Sequence, residues 1–260
     1  MPRHLFRLAA ATILPRPVLT WVKKQYYAND VKHFWEDDVA PVKALVKPGD
    51  SVIDMGANFG WYTHVLSSAV GPSGKVYSIE PIPDTFKVLK GVIRKLRLKN
   101  AFPMNYAMSN VDGTTVMSVP QHEYGGNNFY RAQVETRDSK AIKAQKTYKV
   151  PMRSLDSQFL SMANQITFIK CDVEGHELPV VKGGTRFFEQ SKPAWLMEVG
   201  GNPDQKGTAS HELFRIMEHY GYGVYFFDGK LIRPRPAGHW CVNYLMLQPN
   251  HCQELAHLMI

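Results

Sequence analysis

The chain has little cysteine and no pattern in what it has. Cys171, Cys241 and Cys252 form no C-x-x-C pair and no even-numbered set. That argues against a zinc site and a disulfide framework, and it fits a reducing compartment. No apolar run reaches the roughly 18 residues a spanning helix needs. No internal repeat or low-complexity tract occurs. Also missing is G-x-G-x-x-G after any apolar run, the glycine spacing expected of a dinucleotide-binding turn.

What is present bounds the answer further. A chain of 260 residues can bury the core of one α/β domain with a short extension. A 44% hydrophobic and 21% charged content is that of an ordinary globular protein. The formal charge of +8 and pI near 9.3 point toward an acidic partner: nucleic acid, an anionic membrane or an anionic substrate. The charge is uneven. Thr85–Asn100 carries Lys87, Lys90, Arg94, Lys95, Arg97 and Lys99 with no acid, and Arg131–Arg153 is also mostly basic. The plainer reading of both is a solvated helix face and a solvated loop.

The N-terminus, M-P-R-H-L-F-R-L-A-A-A-T-I-L-P-R-P-V-L-T-W-V-K-K, has a short apolar part broken by Pro15 and Pro17, with no clean cleavage site. A helical extension packed on the domain is the first expectation, and a peripheral membrane contact is the alternative. The expected location is cytoplasmic. Residues 1–45 form the expected extension and 46–260 the main domain, with an insertion at about 120–149 where the sequence turns polar.

Beyond the turn Lys47-Pro48-Gly49-Asp50 the pattern alternates. Strands are expected at Ser51–Asp54, Val76–Glu80, Ala101–Tyr106, Thr114–Val119, Val150–Leu155, Ile166–Cys171 and Ala194–Glu198. Helices are expected from about Gly60 to Ala69, Asp84 to Leu96, after the stretch Asp172–Glu177 to about Phe188, and Ser210 to Tyr220. In the second of these, Phe86, Leu89, Ile93 and Leu96 recur at helical spacing. Val224–Phe227 and Tyr244–Leu247 read as a closing antiparallel pair around Gly229. Alternating strands and helices imply an α/β fold, a mostly parallel sheet with helices on both faces. Ligands of such sheets sit outside the carboxyl ends of the strands, where strand order reverses. Asp54, Glu80, Asp172 and Glu198 all fall at expected strand ends.

The organising stretch is V-I-D-M-G-A-N-F-G-W-Y-T, Val52–Thr63: a strand, a glycine turn and a helix start. Asp54 precedes the first glycine, where a carboxylate would repel a pyrophosphate yet suit a cationic ligand without phosphate. S-adenosylmethionine is such a ligand, with a sulfonium, an ammonium and a bare ribose. Glu80, at the tip of the second strand, is placed to accept both ribose hydroxyls.

D-M-G-A-N-F-G-W-Y-T, S-I-E-P, N-Y-A-M-S-N-V-D-G and I-K-C-D-V-E-G-H-E-L-P-V-V-K-G together resemble the FkbM-type methyltransferases, from about Phe34 to Val199. The resemblance implies a class I methyltransferase (Rossmann-like) fold with a seven-stranded, mostly parallel sheet and its last strand pair antiparallel. It implies S-adenosyl-L-methionine as donor and O-methylation of sugars or hydroxylated natural products. Carried over by position, Asp54, Gly56, Asn58 and Gly60 would serve the methionine part, Glu80 the ribose, and Asn105 and Ala107 the adenine border. Ala57, Tyr62, Thr63, Pro81 and Asp172 complete the expected donor set. Residues 1–33 and Tyr124–Lys149 match no part of the pattern, and acceptor choice is expected in the latter.

A hydroxyl acceptor benefits from a base. His176 is the first candidate, since its ordinary pKa lies near neutral pH, and Asp172 the second. Glu174 would orient His176 or a substrate hydroxyl, and Glu177 would face solvent. A divalent metal on Asp172, Glu174, His176 and Glu198 is conceivable but not favoured. The expected function is O-methylation of a saccharide or small hydroxylated metabolite. The alternatives are an RNA methyltransferase and a donor-binding scaffold without catalysis.

Overall fold

The apolar run that opens the glycine motif becomes the central strand. In the computed structural model, which describes residues 15–120, 133–134 and 144–259, β1 (Ser51–Met55) is buried along its whole length. It is followed by β2 (Lys75–Ile79), β3 (Ala101–Met104), β4 (Ala107–Ser109), β5 (Gly113–Pro120), β6 (Gln133–Val134), β7 (Ala144–Ser154), β8 (Ile166–Cys171), β9 (Ala194–Glu198), β10 (Gly223–Phe227), β11 (Ile232–Pro234) and β12 (Asn243–Leu247). The main sheet runs β11-β10-β12-β9-β8-β1-β2-β3. From β3 to β9 all neighbours are parallel, whereas β12, β10 and β11 join antiparallel.

The sheet therefore has eight strands where seven were expected. The hairpin around Gly229 joins β10 to β11, and β10 pairs separately with β12. β11 is three residues long, ends in Pro234 and sits at the edge. Such a strand is too short to show alternation and takes the one place in a sheet that tolerates proline. Thr114–Val119 and Val150–Leu155, read as members of one series, instead belong to a second sheet ordered β4-β7-β5-β6. Its strand β7 begins at Ala144, inside the polar segment, because a half-exposed strand needs apolar residues on one side only.

Alternate residues of the central strands feed two separate cores, as period-2 geometry requires. Ile53, Met55, Ile169, Trp195 and Met197 pack with Phe159, Val180, Phe187, Phe188 and Leu213 from the helices Leu155–Phe159, Glu177–Lys182, Thr185–Gln190 and Ala209–His219. Val52, Val76, Phe168 and Leu196 pack with Val42, Leu66, Leu89 and Ile93 from Val39–Leu45, Trp61–Val70 and Pro83–Leu96. Each fully buried side chain of this size contributes about 1.5–3 kcal/mol relative to exposure.

Pro83–Leu96 starts on Pro83 with Asp84 in its first turn, and ends at Arg97 in a left-handed conformation. It buries more than the one face its periodicity suggested, because Val88 and Val92 form a further cluster with Tyr27, Ala28 and Val31. Those residues belong to the N-terminal helix Arg16–Asp30 and its short continuation Val31–His33. Tyr27 stacks on Phe59 with ring centroids 3.8 Å apart. Trp21 stands 61% exposed on the outer side of the same helix. Among the described residues no helix is long and apolar enough to cross a membrane. Residues 1–14, and 121–132 and 135–143 of the polar segment, lie outside the described residues.

The single helix expected after Asp172–Glu177 and reaching about Phe188 is broken into Glu177–Lys182 and Thr185–Gln190 by Gly183-Gly184. A Cβ on Gly183 would lie 2.2 Å from the Ser109 carbonyl oxygen, so the break lets β4 lie against the helix end. The backbone at Gly183 is open to any residue (φ −81°), so Gly183→Ala tests crowding alone. A stability loss of about 1–3 kcal/mol is expected, read as a lower urea midpoint at unchanged slope.

Candidate active site

Strand order reverses between β1 and β8, since β2 and β3 extend to one side and β8 and β9 to the other. Outside the carboxyl ends of these strands lies a cleft of about 880 Å³ lined by Asp54, Glu80, Asp172 and Glu198 together. The four acids expected at strand ends thus converge on one edge.

The turn after β1 is built on a close approach. A Cβ on Gly56 (φ +78°) would fall 1.7 Å from the Asp172 carbonyl oxygen, so no side chain fits between β1 and β8. Gly60 (φ +101°) starts the helix Trp61–Val70, and a Cβ there would meet Leu89 at 3.1 Å. It spares a helix contact, and it lies outside the cleft lining. Asp54, 1% exposed, accepts a hydrogen bond from the Thr63 hydroxyl at 2.6 Å. Burial pushes its carboxyl up to about 6 despite that bond. Thr63 is itself fully buried and faces Asp54 and Ser78 rather than the cleft.

Glu80 follows β2 and is 5% exposed. Its two oxygens accept backbone N–H groups of Asn58 (3.0 Å) and Ile82 (2.8 Å), which fix the carboxylate plane and leave lone pairs free on both. Burial drives this carboxyl up to about 8, against the lowering effect of both N–H groups. Asn105 also lies outside the lining. It donates to the carbonyls of Glu80 and Pro81 and so braces the loop that carries Glu80. Ala57, Asn58, Tyr62, Pro81 and Ala107 do line the cleft, and Asn58 Oδ1 is buried without a hydrogen-bond partner.

After β8 the chain makes a tight turn with Glu174 (φ +56°) and Gly175 (φ +91°) both left-handed. Glu177 does not face solvent: it is 5% exposed and accepts the backbone N–H groups of Val173 (3.2 Å) and Gly175 (3.1 Å). It clamps the turn that presents Asp172, Glu174 and His176 to the cleft. His176 Nε2 lies 3.0 Å from Ser109 Oγ. Since that hydroxyl donates to Asn110 Oδ1 (3.2 Å), His176 is assigned as the donor to it, and Nδ1 is left as the acceptor nitrogen. Burial lowers the pKa of this ring.

Two contributors were absent from the expected set. Lys170, 2% exposed in β8, places its Nζ 3.2 Å from Asp172 Oδ2 and 5.1 Å from the centre of the Tyr62 ring. Burial alone would lower its pKa, but Asp172, Glu198 and Asp54 outweigh this and raise it. A lysine inside the apolar run I-T-F-I-K-C was the available signal, because a buried charge requires a partner. The second contributor is the segment Phe34–Asp38, which forms one wall of the cleft. Tyr62 donates its hydroxyl to Glu36 (2.9 Å), Asn243 donates to Asp38 (2.7 Å), and Trp61 Nε1 donates to Asp30 (3.1 Å). Its helical reading fails because Phe34 is extended and the next helix begins at Val39.

The cleft lining carries the acids Glu36, Asp37, Asp38, Asp54, Glu80, Asp172, Glu174 and Glu198 against the single lysine Lys170. Among the described residues no three His, Cys, Asp or Glu side chains are grouped to hold a metal ion. An acid-lined cleft whose one lysine is already paired with Asp172 suits a positively charged ligand better than a pyrophosphate.

A family model described as "Methyltransferase FkbM domain" matches residues 54–224, which contain both the glycine turn and the Asp172–Glu177 turn. The chain belongs to the FkbM methyltransferase domain family. Among curated proteins, this FkbM domain chain is similar to the catalytic subunit of tRNA (adenine(58)-N(1))-methyltransferase from Yarrowia lipolytica. Identity is 26% over 107 residues, 41% of this chain and 27% of that protein. It is also similar to protein-L-isoaspartate O-methyltransferase from Methanothrix thermoacetophila, 33% identical over 55 residues, 21% of this chain and 26% of that protein. The chain thus spans about a quarter of the length of the curated relatives it matches. Among solved structures, the FkbM methyltransferase of Methylobacillus flagellatus superposes with a TM-score of 0.46 at 15% identity, covering 76% of this chain and 44% of that one. Aeropyrum pernix fibrillarin with bound S-adenosyl-L-methionine gives 0.46 at 16% identity, covering 80% and 72%.

The buried acids make a pH prediction. Glu80 has a folded pKa (about 8) above its unfolded one, so its contribution to stability is complete below about pH 4.3 and fades as pH rises through 8. Glu80→Gln cannot ionise, so its urea midpoint relative to the wild type is expected to climb between pH 6 and 9. A constant difference across that range would mean that Glu80 does not titrate there.

Proposed function

We propose that the chain transfers a methyl group from S-adenosylmethionine to a hydroxyl oxygen of a saccharide or a small hydroxylated metabolite. The observation that supports this most is the chemistry of the cleft lining. Glu36, Asp37, Asp38, Asp172 and Glu198 offer carboxylate acceptors, and Trp35 stands 64% exposed in the same lining. Carboxylates accept pairs of hydroxyl protons, and an indole face packs against the C–H face of a sugar ring.

The donor, when bound, supplies an electrophilic methyl group on a sulfonium. Glu80 accepts the ribose hydroxyls with oxygens already fixed by Asn58 and Ile82. Asp54 lies buried beneath the glycine turn and complements the positive charge of the donor. Asp172, Glu174 and His176, on their clamped turn, stand at the reacting edge. In-line displacement needs the acceptor oxygen held against the methyl carbon with water excluded, a task suited to the wall of Phe34–Asp38 and to Tyr62.

A polynucleotide acceptor is the competing reading, prompted by the charge of +8 and by the tRNA methyltransferase relative. The cleft weighs against it, because eight acids there would repel a phosphodiester while Lys87, Lys90, Arg94 and Lys95 lie exposed outside the lining.

Calorimetric titration with S-adenosylmethionine, with NAD and NADH as controls, is expected to show binding of the methyl donor alone. Affinity should rise from about pH 5.5 to 8.5, because the ligand favours ionised Asp54 and Glu80, whose free carboxyls titrate near 6 and 8. Glu80→Gln should weaken donor binding by about 10-fold or more, the loss of a charged acceptor. Incubation with methyl-labelled donor and a panel of methyl glycosides should give a methyl ether detectable by mass spectrometry. Donor binding without any such product would sink the saccharide assignment.

A further inference from the structure

Glu198 ends β9 and faces the cleft between β8 and β12. The register that pairs Cys171 with Met197 sets Glu198 beside Asp172 at the ends of adjacent strands, and both line the cleft. Two neighbouring carboxyl groups do not both ionise freely. The ammonium of Lys170 lies 3.2 Å from Asp172 Oδ2 and pairs with that carboxyl, while Glu198 has no such cation on it among the described residues. The other charged group facing Glu198 is Glu177 on the adjacent helix. On β12 its direct partner is Asn243, which is neutral. Burial first, and the charge of Asp172 second, raise the Glu198 carboxyl to about 7. That is the basicity at which a carboxylate both takes a proton and returns it at neutral pH.

We propose that Glu198, beside the Asp172–Lys170 ion pair at the adjacent strand end, is the general base that removes the proton from the acceptor hydroxyl. The proposal rests on the O-methyl transfer reading above. Glu198 takes the hydroxyl proton as the acceptor oxygen bonds to the methyl carbon, while the carbon–sulfur electrons stay on sulfur as a neutral thioether. Glu198 then passes the proton to water, and no oxidant or metal enters the balance. Asp172 acts on Glu198: its negative charge makes the neighbouring carboxylate more basic, and Lys170 keeps it in place. His176 keeps Nδ1 free, but it is the weaker candidate because burial lowers the basicity of the ring.

The test uses the full chain labelled with ¹³C at the glutamate side-chain carboxyls. One carboxyl carbon is expected to titrate near 7, to vanish in Glu198→Gln and to titrate lower in Asp172→Asn. In turnover with S-adenosylmethionine and methyl glycosides, Glu198→Gln should lower kcat by about 100-fold or more. The same variant should bind the donor within about threefold of the wild type by calorimetry and lose the rise of kcat with pH near neutrality. Glu198→Asp should recover part of the rate. A titration near 7 that vanishes in neither Glu198→Gln nor Glu80→Gln, or a Glu198→Gln kcat within about threefold of the wild type, would overturn the proposal. A wild-type chain that binds the donor but methylates no glycoside overturns the saccharide reading instead, and the titration still decides whether Glu198 is the basic carboxyl.

Discussion

Everything in the cleft depends on one backbone contact, the passage of Gly56 across the carbonyl of Asp172. At 1.7 Å for a notional Cβ, there is room only for hydrogen. The contact locks the turn after β1 to the turn after β8. The half of the cleft that holds Glu80 and Asp54 is therefore held in register with the half that holds Asp172 and Glu198. A group transfer tolerates little misalignment between its reactants, and this contact sets the spacing of the two halves through backbone atoms alone. Flexible side chains need not do it.

Electrostatics divide the molecule sharply. The chain carries +8 overall, yet its cleft gathers eight acids around one buried lysine. Burial raises Asp54, Glu80 and Glu198, so the cleft holds part of its charge as protons until a ligand offers hydroxyl donors or a cation. A charge count over the whole sequence pointed toward an acidic partner; the cleft itself is lined by acids. Net charge is a property of the surface, and it says little about the pocket.

The central strands, the glycine turn and the four strand-end acids were legible because each rests on local pattern: apolar runs, glycine at a left-handed position, an acid at a strand tip. The edge strand β11 and the second sheet were not, since short or half-exposed strands leave weak periodicity. Glu177 was misread as solvent-facing because its partners are backbone N–H groups of its own turn, and side-chain patterns do not announce those. Thr63 and Asn105, expected to touch the donor, instead hold Asp54 and the Glu80 loop in place. The wall Phe34–Asp38 was invisible for a different reason. Its bonds to Tyr62 and Asn243 span distant parts of the chain, and only the folded topology brings them together.

That wall has an evolutionary consequence. Of Phe34–Asp38, only Phe34 packs against a core cluster, and only at its edge, while the donor-facing turn is built from the core strands themselves. Substitutions from Trp35 to Asp38 can therefore reshape what enters the cleft without disturbing the sheet. Four residues of an N-terminal strap make one wall of the opening variable on a floor of buried strands.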